Sequence, residues 1–105
     1  MIFHPAARDA IRWFPKEVRD KVGRYLYELQ LGESLSMPHS RVMPSIGAGA
    51  AEVRVSGAGG AYRTFYLATH RDGILVFHAF FKKSRKTPKS EIELARKRLK
   101  ELLDG

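Results

Sequence analysis

The side chains in this sequence best placed to do chemistry are cations lying within β-strand patterns. Arg54 falls inside Glu52-Val53-Arg54-Val55-Ser56, which alternates polar and apolar. Arg63 falls inside Tyr62-Arg63-Thr64-Phe65-Tyr66-Leu67, an aromatic-rich strand pattern. The run Lys82-Lys83-Ser84-Arg85-Lys86-Thr87-Pro88-Lys89 holds five cations and no acid. A guanidinium within a sheet is costly unless it meets water or an anion. Arg63 shares its parity with Phe65 and Leu67, whereas Arg54 shares its parity with Glu52 and Ser56. Two readings stand for each. Arg63 can bridge Glu52 and Arg54 can be a solvated strand residue, or both can converge with Lys82 or Lys83 on a phosphate.

Convergence would permit ribonuclease chemistry. Clustered cations stabilise the extra negative charge of a phosphorane-like transition state. The RNA supplies its own nucleophile, because a 2′-hydroxyl can attack the adjacent phosphate once the backbone is splayed into line. A lysine or tyrosine of shifted pKa can move the protons. Tyr66 and His78 are candidates for that task, and each also fits a buried strand residue. Phe80 and Phe81 adjoin the basic run and offer stacking surfaces beside phosphate-binding groups.

Other chemistries find little support. The chain has no cysteine, which excludes a disulfide scaffold and a thiol nucleophile. It has no GxxxxGK[ST] loop, and no GxGxxG follows a strand pattern. His4, His39, His70 and His78 show no metal-ligand spacing, so neither cofactor nor metal is expected.

The elements that must position these cations read as one α+β domain over residues 1–105, a length suited to a single core. Pro5 through Phe14 predicts a short helix. From Pro15, the residues Val18, Val22, Tyr25, Leu26 and Leu29 form one helical stripe ended by Gly32, giving an N-terminal helical hairpin. Arg41-Val42-Met43 fits a short edge strand, and residues 46–51 read as a flexible loop. Ile74 through Phe81 is almost continuously apolar, as in a strand covered on both faces. After Thr87-Pro88, the residues Ile92, Ala95, Leu99, Leu102 and Leu103 form the stripe of a C-terminal helix. The expected architecture is a helical hairpin, then a small twisted antiparallel sheet of three to four strands, then a helix, with the helices on one sheet face.

Charge is consistent with an anionic partner. Lys plus Arg is 19 against 11 Asp plus Glu, a net +8. Residues 71–105 hold ten of the basic residues and five of the acidic ones. No apolar run approaches the roughly 20 residues of a membrane span. The start of the chain lacks the layout of a secretory signal, so a cytoplasmic protein is expected.

These residues resemble the RelE/ParE toxin superfamily. Ala51-Glu52-Val53-Arg54-Val55, a glycine break and Ala61-Tyr62-Arg63-Thr64-Phe65-Tyr66 are similar to its paired strand motifs. His78 through Pro88, continuing to Glu91-Ile92-Glu93-Leu94-Ala95 and Arg98, is similar to its phage-related HigB-like branch. Phe14-Pro15-Lys16-Glu17-Val18-Arg19 and Gln30-Leu31-Gly32 also fit that branch. The resemblance implies the toxin of a type II toxin–antitoxin system, a metal-independent mRNA endonuclease acting at the ribosome without a cofactor. It implies catalytic roles for Arg63, Arg54, Lys82 and Lys83 and places Lys86 in the same basic segment; with the residue chemistry above, Lys86, Arg85, Phe80, Tyr66 and His78 are the expected RNA contacts. Glu52 would position Arg54 or Arg63, with a base role left open. The C-terminal helix has no tyrosine, so a base or stacking role placed there in relatives has no counterpart.

The implied partners are a cognate antitoxin of helix-turn-helix type, the ribosome and mRNA, with operator DNA reached only through the antitoxin and no membrane. Three alternatives remain at this point: a ParE-like gyrase poison, a non-catalytic nucleic-acid-binding module, or a degenerate, inactive toxin. The expectation for Arg63→Ala is loss of toxicity with the fold intact.

Overall fold

The computed structural model describes residues 1–33, 39–70, 73–83 and 86–104. In chain order the elements are β1 (Ile2–Phe3), α1 (Pro5–Arg12), α2 (Lys16–Gln30), β2 (Ser40–Val42), β3 (Ala50–Gly57), β4 (Gly60–His70), β5 (Gly73–Lys82) and α3 (Lys89–Asp104). The sheet has five strands in the order β1-β5-β4-β3-β2. It is mixed, because β1 runs parallel to β5 while the other pairs are antiparallel.

The helices start and stop where local chemistry favours it. In α1, Pro5 occupies the first turn, where a missing N–H costs nothing, and His4 Nδ1 accepts from the Ala6 N–H at 3.1 Å. At the end of α2, Gly32 takes φ +88°, Gly32 N–H donates to Leu29 O at 3.0 Å, and Glu33 N–H donates to Glu28 O at 3.0 Å. This left-handed closure uses carbonyls that the helix leaves free.

The sheet separates two apolar clusters. On one face Ala7 of α1 and Val18, Val22 and Leu26 of α2 pack on Val53, Val55, Tyr66, Ile74 and Val76. On the other face Ala95 and Leu99 of α3 pack on Phe65, Leu67, Leu75 and Phe77. β5 lies between the layers and next to β4, which explains its apolar run.

Three expectations are corrected. The sheet has five strands rather than three or four, and β1 precedes the helices, because a two-residue strand leaves no periodicity to read. The helices flank both faces, with α3 opposite α1 and α2. Of residues 46–51, 46–49 form a closed turn and Ala50 and Ala51 begin β3: Met43 N–H donates to Ala50 O at 2.8 Å and Ala50 N–H to Gly47 O at 3.1 Å, with Ile46 buried in the α3-side cluster. Of the turn pattern His70-Arg71-Asp72-Gly73 in the sequence, Arg71 and Asp72 lie outside the described residues.

β5 carries a bulge that matters for the site. Phe65 pairs with His78 and Tyr66 with Val76, so Phe77 has no partner of its own. The extra residue leaves both Phe77 and His78 on the α3 side. Phe77, fully buried, centres that layer. Phe77→Ala should cost about 3–5 kcal/mol, read from urea unfolding.

Candidate active site

Four cations from four strands meet on the α3 side of the sheet. Arg54 and Arg63 are directly opposed across β3 and β4. Arg41 on β2 is opposite Glu52 on β3, and Phe80 on β5 is opposite Arg63. Lys82 follows two residues after Phe80, so it shares that face. Arg41, Arg54, Arg63, Lys82 and Lys83 line a cleft of about 420 Å³ together with Gly60 and Ala61. A second cleft beside it is lined by Arg41, Glu52, Lys86 and Thr87 among others.

Glu52 makes this gathering possible. It is 1% exposed, and its Oε1 lies 2.5 Å from Arg63 Nη1 and 3.8 Å from Arg54 Nε. Like charges directly opposed across a strand pair repel. The carboxylate between them offsets that repulsion and leaves the cleft with a cationic surplus. Two buried atoms of the pair, Glu52 Oε2 and Arg63 Nε, have no hydrogen-bond partner among the described residues. Burial is the main cause that pulls the Arg63 pKa below its ordinary value, against the attraction of Glu52.

Lys82 has the chemistry of a proton carrier. Its ammonium donates to Thr87 Oγ1 at 3.3 Å, tying the end of β5 to the approach to α3. Burial first, then the positive charge of Arg63, lowers its pKa from the usual lysine value. A lysine in such surroundings releases its proton more readily than one in water.

The other candidates fall into three groups. Lys83 and Lys86 are exposed at the clefts, and Phe80 stands beside Arg63 with its ring edge-on to Phe65 at 5.5 Å. Tyr66 does not reach the clefts: it is buried in the α2-side cluster, and its hydroxyl lies 3.0 Å from Ser40 Oγ. His78 is 2% exposed beneath α3. Its Nδ1 accepts from Arg98 Nη1 at 2.7 Å, which puts the proton on Nε2, where Glu91 Oε1 accepts at 2.7 Å. His78 thus fastens α3 to β5 rather than facing an RNA. Arg85 lies outside the described residues.

Arg41 was missed, since its register against Glu52 is a long-range fact. The only sequence signal was its place in the short edge-strand pattern. Glu91 and Arg98 were legible as residues of the C-terminal helix and of the resemblance, but not as partners of His78.

Residues 9–100 match the family described as phage derived protein Gp49-like (DUF891). The chain belongs to this family, which is toxin-like and of RelE/ParE-type context. Comparison with curated proteins yields no match. No helix among the described residues is long and apolar enough to cross a membrane.

The Arg63–Glu52 geometry changes the expected outcome of Arg63→Ala. Removing one partner of a buried pair leaves an uncompensated charge and costs about 3–5 kcal/mol. Arg63→Met should therefore lower the unfolding midpoint, and adding Glu52→Leu should restore most of it. Urea titration of the single and double variants checks this.

His78 gives a pH signature. Burial holds its pKa below the ordinary 6.5, with Glu91 opposing and Arg98 adding to the shift. In the unfolded chain it protonates as pH falls through 6.5, while in the fold it resists. Stability is therefore retained above that value and lost on acidification below it. His78→Gln should flatten this part of the thermal unfolding profile between neutral pH and pH about 5.

Proposed function

We propose that the chain is a ribosome-dependent mRNA endonuclease toxin of the HigB-like kind, paired with an antitoxin. The observation that carries this reading is the convergence of Arg41, Arg54, Arg63 and Lys82, from four strands, on one open cleft. Membership of a toxin-like family supports it.

The chemistry follows from the arrangement. The phosphate to be cut lies over Arg63 and Arg54, with Arg41 and Lys83 at its flanks. The 2′-hydroxyl of the preceding nucleotide attacks phosphorus, forming the O2′–P bond. The P–O5′ bond breaks, giving a 2′,3′-cyclic phosphate and a 5′-hydroxyl. Lys82, whose proton is loosened by burial and by the charge of Arg63, is the group placed to exchange protons with the 2′-hydroxyl and the leaving O5′. The guanidinium groups are held by Glu52 before substrate arrives. Their field then acts on developing charge without reorganisation. The chain itself supplies the cations this reaction requires. A basic surface of this kind also suits an acidic antitoxin segment, which would silence the cleft by covering it.

Mapping mRNA 5′ ends after induction without antitoxin tests the reading. Cuts within translated codons are expected, and they should disappear when ribosomes are withheld. Intact mRNA with a DNA-damage response would overturn the proposal in favour of gyrase poisoning. Lys83→Ala, a change at an exposed position, should weaken RNA binding and reduce its logarithmic salt slope by about 0.7.

A further inference from the structure

Arg54 lines two clefts rather than one. Besides the cationic cleft, it borders a groove of about 200 Å³ formed with Lys21, Tyr25, His39, Val55 and Ser56. The groove exists because β2 is short. β2 pairs with β3 only over Ala51–Val53, and the Arg54 N–H then donates to His39 O at 2.8 Å. Beyond that point, among the described residues, no strand flanks Val55 and Ser56 on the β2 side, while β4 pairs with them on the other edge, and α2 forms the opposite wall.

The lining combines stacking surface with positive charge. The rings of Tyr25 and His39 lie 5.2 Å apart at an interplanar angle of 32°, with Tyr25 Oη 3.3 Å from His39 Nδ1. The Arg24 guanidinium carbon is 5.4 Å from the Tyr25 centroid. Val55 is buried at the floor, and the exposed Lys21 and half-buried Arg54 supply cations. Among the described residues, no acid lines the groove. An acidic peptide would satisfy the cations but leave the ring pair unused. A nucleotide uses both, since its base presents a π face and its sugar carries a phosphate.

We propose that this groove is a second nucleotide subsite. It holds a nucleotide adjoining the one cut in the cationic cleft, with its base on the exposed His39 ring and its phosphate between Lys21 and Arg54. The inference rests on the RNA reading of that cleft. It adds a direction: the strand runs from Lys83 across Arg63 to Arg54 and then over the edge of β3 beyond the end of β2.

Fluorescence anisotropy with labelled oligouridylates tests it, using a trinucleotide and an octanucleotide on the full chain. The octanucleotide should bind the wild type at least about tenfold more tightly, the scale expected for one stacked base. Lys21→Ala combined with His39→Ala, both at exposed positions, should erase this length advantage and keep the wild-type trinucleotide affinity. Lys83→Ala should weaken both probes and keep the length advantage. A length advantage unchanged in the Lys21/His39 variant would overturn the subsite and leave the cleft reading standing. Failure of the wild type to bind either RNA would overturn the subsite alone if ribosome-dependent cuts are still mapped in cells, and both readings if they are not. If hexaglutamate displaces the octanucleotide at equal affinity and loses binding in the same variant, the groove belongs to an acidic protein segment and the nucleotide subsite is overturned.

Discussion

The carboxylate of Glu52 is the constraint around which the sheet is built. Arg54 and Arg63 face each other across two strands, and Arg41 stands opposite Glu52 on a third. Without a buried anion these guanidinium groups would repel one another next to an apolar layer. With it, Arg63 can be nearly as buried as a core residue while still lining the cleft. One acid does not neutralise several cations. The remaining positive potential is the property that RNA cleavage would use, so stability and proposed chemistry share one side chain.

The rest of the α3 face serves to keep that cluster in place. The bulge at Phe77 brings His78 to the α3 side of β5. There Glu91 and Arg98 grip its two ring nitrogens. Arg96 reaches from α3 to the Ser45 carbonyl, and His4 at the start of α1 meets Glu101 at 3.0 Å. These ties hold α3 against both ends of the sheet. Lys82 and Thr87 then close the gap between β5 and α3 beside the cleft. Through Lys82 and Thr87, α3 thus helps to position the β5 end of the cationic cleft.

Much of this was legible in the residues because it is local. The stripe Val18, Val22 and Leu26 gave α2, the apolar run gave a two-sided β5, and the strand cations marked the cleft. The unread parts depend on pairing between distant segments. β1 is two residues long and carries no period. The side of the sheet taken by α3 depends on which face of β5 each residue occupies, and the bulge resets that parity midway. Tyr66 illustrates the difficulty: it neighbours Phe65 in sequence but faces the opposite layer, while Arg63 and Phe65 share the α3 side. The ion pair of Arg63 with Glu52 and its place in the cleft coexist, since they are one geometry.

The placement of Glu52 also gives β3 a registration mark. Slipping this strand by one residue would turn its carboxylate into the Val18–Val22–Leu26 layer and set Val53 among arginines. Both errors are expensive, one through an unpaired buried charge and the other through exposed apolar surface and unshielded repulsion. A charged side chain that looks costly in the finished fold therefore penalises neighbouring misfolds more heavily, and it acts as a proofreader of strand alignment during assembly.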